Sequence, residues 1–178
     1  MMPYRTIRGA AVAAALAVSA LMSVTASAAE PKLLGTFKDW NAFAFEEGGN
    51  KVCYMSSQPK KKEPAGAKRG EIYALVTHRP AEKSVDVVSF MMGYAPKKDV
   101  DTQVDASGKP FKLFNDKETA WARDADTDRN LVAAMRDGTK SMVVKGVSGR
   151  GTKTTDTYSL NGFGQAYSAI NEACGVKR

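Results

Sequence analysis

The chain counts 178 residues, 25% of them charged and 43% hydrophobic, with 26 basic against 19 acidic side chains for a net charge of +7. That is the size of one domain, with a core large enough to hold without a metal, and neither an internal repeat nor a heptad run extends it. A single histidine restricts both hydrolytic triads and zinc sites, which usually draw on that residue.

The first 28 residues read as a signal peptide. Arg5 and Arg8 form a basic start, Ala10 to Met22 is an apolar stretch too short to span a bilayer comfortably, and Ala26-Ser27-Ala28 is an A-x-A cleavage site. Cleavage there leaves a single mature domain, residues 29–178, beginning at Ala29 and without a transmembrane anchor. Its net charge is +5, because the leader carries two arginines and no acid. No cysteine follows the apolar stretch until Cys53, which argues against lipid anchoring. Export puts the chain in the periplasm or at the cell surface, away from nucleic acid. A basic balance there points to anionic lipid, glycan or a protein face. In an oxidising compartment the two cysteines, Cys53 and Cys174, are expected to pair; the alternative for Cys53 is an inert buried thiol.

Taken in order, Leu33 to Phe37 suits a first edge strand. Trp40 to Glu46 alternates, with Asn41, Phe43 and Phe45 on one face, and Glu47-Gly48-Gly49-Asn50 turns it into a partner strand, Lys51 to Ser56. From Gln58 to Gly70 the composition changes to two prolines, two glycines and five basic residues, which predicts a solvated loop and no packed strand. Glu71 to His78 and Ser84 to Gly93 are the clearest strands, the second apolar enough to be central. Val100, Thr102 and Val104 alternate, and turns at Asp105–Gly108 and Asn115–Lys117 frame Phe111 to Phe114 and Thr119 to Trp121. Asp128 is expected to cap a short helix with Leu131, Val132 and Met135 on its buried face and Gly138 past its end.

The closing stretch, Ser141 to Cys174, holds most of the pattern. An apolar run, Met142 to Val147, meets the corner Ser148-Gly149-Arg150-Gly151, and a threonine-rich strand returns to Leu160. Past Gly162 the period changes. Phe163, Ala166, Tyr167 and Ile170 fall at i, i+3, i+4 and i+7, one face of a short helix that carries Cys174. Nine or ten short strands and two short helices predict a mostly β, single-domain antiparallel sandwich or barrel-like fold.

Motifs that would carry chemistry fall short. Gly146-x4-Gly151 lacks the Lys-Ser/Thr of a phosphate loop and sits between strands. Arg150 replaces the last glycine of a nucleophile elbow. Asp124-x-Asp126-x-Asp128 has the opening spacing of a calcium loop, but Arg129 and Met135 occupy its glycine and glutamate positions. His78 ends a strand beside Arg79, and Trp40, Trp121, Tyr73, Tyr158 and Phe163 suit a core. These residues imply no catalytic group, metal site or cofactor.

Several runs together resemble the invasion-associated locus B family of exported bacterial proteins. They are Gly35-x-Phe37-x-Asp39-Trp40, Val52-Cys53-Tyr54, Gly93-Tyr94, Ala120-Trp121 and Ala134-Met135-x-x-Gly138. The most specific is Ser148-x-x-Gly151-Thr152-x-Thr154-x-Asp156-Thr157-Tyr158-Ser159-Leu160-x-Gly162-Phe163. The resemblance runs from about Leu34 to Cys174 and implies a β-sandwich-like domain of the periplasm or cell surface, linked in founding members to host-cell invasion. It brings no catalytic residues. Its signature reads structurally: glycines for the turn, Asp156 and Thr157 for local hydrogen bonds, Tyr158 and Leu160 for packing.

The expectation is a non-enzymatic envelope module that binds an envelope or host-surface protein, anionic lipid or glycan. The alternative is a cryptic hydrolase of envelope glycans acting through carboxylates. For the binding reading the contact is expected in the Gln58–Gly70 segment, at Lys60, Lys61, Lys62, Lys68 and Arg69, offset only by Glu63.

Overall fold

The computed structural model describes residues 30–138 and 140–177. The expected leader 1–28, its cleavage site and Ala29 lie outside the described residues. The elements, in order, are β1 (Lys32–Phe37), β2 (Trp40–Glu47), β3 (Asn50–Ser57), β4 (Lys61–Glu63), β5 (Tyr73–Arg79), β6 (Ser84–Met91), β7 (Thr102–Ala106), β8 (Lys109–Asp116) and β9 (Thr119–Trp121). Helix α1 (Ala125–Asp137), β10 (Ser141–Val147), β11 (Lys153–Ser159) and α2 (Phe163–Cys174) complete the chain.

All eleven strands join in one antiparallel sheet of order β1-β2-β3-β5-β6-β9-β8-β7-β10-β11-β4. It does not close into a barrel; β1 and β4 remain as edges. The fold is nevertheless layered, because β8 serves both halves. Its first part, Lys109–Leu113, pairs with β7, and its last three residues, Phe114–Asp116, pair with β9. The sheet turns over at that strand and its halves meet across the core. Phe90 on β6 and Tyr158 on β11 stand edge to face at 6.0 Å, and Trp40 Nε1 donates to Ser159 O at 2.9 Å.

Alternation sets which side of each strand is buried. On the first half, Trp40, Ala42, Cys53, Met55, Val76 and Phe90 face inward. Facing them are Val144, Asp156 and Tyr158 of the second half. Helix α2 lies on the inner face of β1, β2, β3 and β5, where Phe163 meets Trp40 edge to face at 5.0 Å. Its buried residues are Phe163, Ala166, Tyr167 and Ile170, as the period of that stretch predicts. At its end, Cys174 is bonded to Cys53 across 121 residues, with an S–S distance of 2.04 Å.

Three local expectations need correction. Helix α1 starts one turn early: Asp124, not Asp128, is its cap, accepting from Thr127 N at 2.7 Å. Asp128 lies inside the helix, buried, and accepts from Val88 N at 2.8 Å. The segment 58–70 is not wholly a loop, since β4 pairs with β11 in the register Thr155↔Glu63, Asp156↔Lys62, Thr157↔Lys61. A three-residue edge strand needs only backbone groups, so charged side chains do not forbid it. Finally, Trp121 and Tyr73 are half-buried on the outward side of the sheet, outside the core.

Candidate functional site

The glycine-rich corner and the end of the basic segment come together in space. Residues Gly70 and Gly93 bring two loops into backbone contact, with Gly70 N donating to Gly93 O at 2.8 Å. At Gly93 the backbone has φ +69°, and a Cβ would lie 2.7 Å from Gly70 O. Only glycine fits there. On the far side, Ser148–Thr152 reverses the chain between β10 and β11 and is tied to the β6–β7 connection by Gly149 N donating to Ala95 O at 2.8 Å. Between these loops is an open cleft of about 700 Å³, lined by Lys68, Arg69, Tyr94, Ser148, Arg150 and Thr154 among others.

Its floor is a buried ion pair. The Arg69 guanidinium donates through Nη1 and Nη2 to the two carboxylate oxygens of Asp156, both at 2.7 Å. It also donates to Met92 O from Nε and Nη2, at 3.0 and 2.6 Å. The guanidinium carbon stands 5.0 Å from the centroid of the Tyr94 ring, a cation–π contact. Tyr94 Oη and Thr154 Oγ1 are 2.6 Å apart, and burial pushes the Tyr94 phenol above its ordinary pKa. Asp156 thus has a long-range partner in place of the local hydrogen bonds expected from its motif. The corner offers no phosphate cradle either. Ser148 N, Gly149 N, Gly151 N and Thr152 N each donate within the protein.

The five basic residues of the segment separate. Arg69 is 6% exposed and taken by Asp156, so it is removed from the surface where an anionic partner was expected. Its planar fork matches a carboxylate two to two, and a charge that deep needs such a partner. Lys60 forms an ion pair with Asp39; the Lys60 ammonium, with help from Ser159, holds that carboxyl below its usual range. Lys61 Nζ stands 2.9 Å from Glu63 Oε1. Lys62 and Lys68 are exposed and have no ion-pair partner among the described residues. Arg150, in the facing corner, shares that condition and lines the same cleft as Lys68.

A second polar cluster is wholly interior. His78 Nδ1 accepts from Asp86 N at 3.0 Å, so its hydrogen sits on Nε2, which is 2.9 Å from Asn171 Oδ1. Tyr167 Oη donates to Asp86 Oδ1 at 2.6 Å. This cluster fastens α2 to β5 and β6 beside the disulfide, since Cys53 and His78 are register partners. Near it, burial pushes the Asp128 carboxyl up to about 6, with Asp86 and Asp124 adding to the effect and the Val88 N–H opposing it. The calcium-like spacing has no cation-binding geometry. Asp124 caps the helix, Asp126 pairs with Arg129, and Asp128 turns inward to β6.

A profile of the family described as "Invasion associated locus B (IalB) protein" matches residues 40–171. Among solved structures, the chain is similar to invasion associated protein B from Bartonella henselae, with a TM-score of 0.55 and 18% identity. That match covers 82% of this chain and 97% of the other. Comparison with curated protein sequences found no match. The second half of the profile holds the β10–β11 corner, Asp156 and the start of α2, the parts that build the cleft floor and close the core. The likeness in fold agrees with the antiparallel sheet and its two helices, and the profile spans most of the chain: this protein belongs to the invasion-associated locus B family.

Proposed function

We propose that the protein is an exported, non-enzymatic envelope module that binds an anionic group, on lipid or on glycan, at the cation-bearing mouth of the cleft. The observation that carries this reading is the convergence of Lys68 and Arg150 from two loops onto one open cleft, with Lys62 on the adjoining edge strand. The family, the signal-like leader and the Cys53–Cys174 bond all support export to an oxidising compartment. Among the described residues no helix is long and apolar enough to cross a membrane.

The buried pair beneath the mouth has a structural part. By holding Arg69 and Asp156 against Met92, it fixes the loop that presents Lys68. Anchoring of this kind lowers the ordering cost of binding. Near an anionic surface each basic side chain contributes roughly 1 kcal/mol, fading within a Debye length, so three give a modest and salt-sensitive attraction.

The hydrolase alternative requires a carboxyl with a raised pKa facing substrate. Asp128 has the raised pKa, but it is buried and turned inward onto the Val88 N–H, beside a different depression bordered by Ser84 and Arg123. Among the residues that line the cleft Glu118 is a lone carboxylate, and Asp156 beneath it is engaged on both oxygens by Arg69, so no pair of free carboxylates faces the opening. The geometry therefore favours binding.

The test is a Lys62→Gln, Lys68→Gln, Arg150→Gln triple variant, measured against vesicles with anionic phospholipid and, separately, against an acidic oligosaccharide. Binding to one of the two probes should fall several-fold and lose most of its salt dependence, with the unfolding midpoint unchanged. Equal binding by variant and parent at low ionic strength would remove the cleft mouth as the contact.

A further inference from the structure

The two halves of the sheet present very different outward faces. On the second half, the outward positions of β8, β10, β11 and β4 include Lys112, Lys145, Lys153, Lys61 and Glu63. That is an ordinary solvated surface. On the first half the same alternation puts Leu33, Phe43, Phe45, Tyr54, Leu75 and Met91 outward. Phe43 and Tyr54 stack at 4.9 Å between ring centroids, and Phe45 meets Tyr54 edge to face at 6.1 Å. Leu33 is 51% and Met91 36% exposed. Both helices pack on other surfaces: α2 lies on the inner face with its disulfide, and α1 lies against β6, β7 and β8. The charged side chains among these rows, Arg79 and Glu47, sit at one end and are paired with each other.

We infer that this outward face of β1-β2-β3-β5-β6-β9 is a homodimer interface, on which a second copy of the chain packs sheet to sheet. Composition is the first argument. Aromatic residues and methionine are enriched, and charge is depleted, in interface cores. Size is the second. Five inter-strand spacings of about 4.8 Å make the face roughly 24 Å wide. Its rows run roughly 20 Å along the strands, for a projected area on the order of 500 Å² per copy. Two copies then bury at least about 1,000 Å², the lower bound of a specific interface.

Charge decides the occupant. A face with its ion pair internal can meet an identical face without like-charge repulsion, and two sheets of the same twist pack aligned at about 30°. A bilayer surface suits it less well, since the lysines that would meet anionic headgroups lie on the other half of the sheet. In the dimer the two clefts lie outside the contact, because Lys68 and Arg150 are absent from these rows.

Thr77 lies in the middle of the face, between Tyr54 and Val87 in the cross-strand row. A lysine there places two like charges near the two-fold axis. The experiment is sedimentation velocity on the exported, oxidised chain and on two variants, Thr77→Lys and Met91→Lys, each checked for an intact fold by circular dichroism. The parent should sediment as a dimer at micromolar concentration. Both variants should raise the dimer dissociation constant at least tenfold, Thr77→Lys more than Met91→Lys. Met91 is exposed at the margin, so that variant keeps the test informative if Thr77→Lys folds poorly. A parent that stays monomeric at the highest soluble concentration overturns the inference, as does a dimer indifferent to both lysines. Thr77-dependent binding of the monomer to uncharged lipid vesicles overturns it too, by giving the face to a bilayer.

Discussion

Arg69 and Asp156 lie 87 residues apart in sequence and meet in a two-pronged ion pair, both contacts at 2.7 Å, beneath the cleft. The pair joins the loop before β5 to the middle of β11, and so ties down the chain beyond the short β4–β11 pairing. Removing one partner strands a charge out of water. Asp156→Ala should therefore destabilise the fold by roughly 3 to 5 kcal/mol, whereas removing the exposed Arg123–Asp101 pair should cost under about 1 kcal/mol. Urea denaturation midpoints compare the two. In a double-mutant cycle with Arg69→Met, the coupling should exceed about 1 kcal/mol; additive losses would show that the two charges do not support each other.

The Cys53–Cys174 bond closes a loop of 121 residues around nearly the whole described chain. Chain-entropy arguments give up to about 4 to 5 kcal/mol for such a loop, often less in practice. That is a large share of the roughly 5 to 15 kcal/mol of an ordinary domain. Cys174→Ser should lower the thermal midpoint markedly in oxidising buffer and bring it level with the parent under strong reductant. An unchanged midpoint would mean that α2 is held by its apolar face and the His78 cluster alone.

Asp128 predicts an unusual acid limb. Its folded pKa is about 6, raised chiefly by burial, against about 3.9 for an unfolded aspartate. Above pH 6 the carboxylate is charged in both states and costs the folded one its desolvation. Between pH 6 and 4 the folded state takes up a proton that the unfolded state does not, so stability rises as pH falls through that window. Asp39 and Asp124, whose pKa values are lowered by their hydrogen bonds, act oppositely, and their contribution is lost below about pH 4. Relative to Asp128→Asn, which keeps an acceptor for Val88 N, the parent should thus gain about 1 kcal/mol from pH 7 to pH 5. The comparison cancels the buried His78, which the unfolded chain protonates in the same window and which works in the opposite direction. The variant should be the more stable protein at pH 7. A difference between parent and variant that stays constant over this range would contradict the assignment.

Strands with β-branched or aromatic residues at period two, such as β5, β6 and β10, are legible in sequence because burial on one face imposes that period. Helix α2 is legible for the same reason at period 3.6. The disulfide partners follow from there being two cysteines. By contrast, β4 is invisible: Lys61-Lys62-Glu63 carries no apolar pattern, and its place depends on the free edge of β11. The α1 start is misplaced because Asp124 and Asp128 are both plausible caps, and which one turns inward depends on the distant Val88 N–H. The cleft floor is hidden too. Nothing local distinguishes Arg69 from the lysines before it, or marks Asp156 as its partner. A motif with an aspartate flanked by threonines on a strand, its side chain on the buried face, was the available signal that a cation had to come from elsewhere.

Gly162 and Gly151 provide a matched pair for separating backbone strain from close packing. Both have φ +88°, a conformation that costs an ordinary residue about 1 kcal/mol or more. Around Gly151 a Cβ would meet nothing within 4 Å. At Gly162 it would lie 1.8 Å from Phe37 O and 2.6 Å from Phe37 C, because the β1–β2 turn rests directly on the start of α2. Those contacts are to backbone and cannot be relieved by a rotamer change. The turn is also bonded there, with Asp39 N donating to Asn161 O at 3.3 Å. Gly151→Ala should therefore cost about 1 kcal/mol. Gly162→Ala should cost at least about 2 kcal/mol more, the range reached when overpacking forces the backbone to shift. Because Trp40 and Phe163 flank this contact, the larger loss should come with a shift in tryptophan fluorescence, which Gly151→Ala should not show. Equal losses at the two glycines would mean that the turn and the helix can part without penalty, and that the close approach of Phe37 to α2 adds nothing to the stability of the fold.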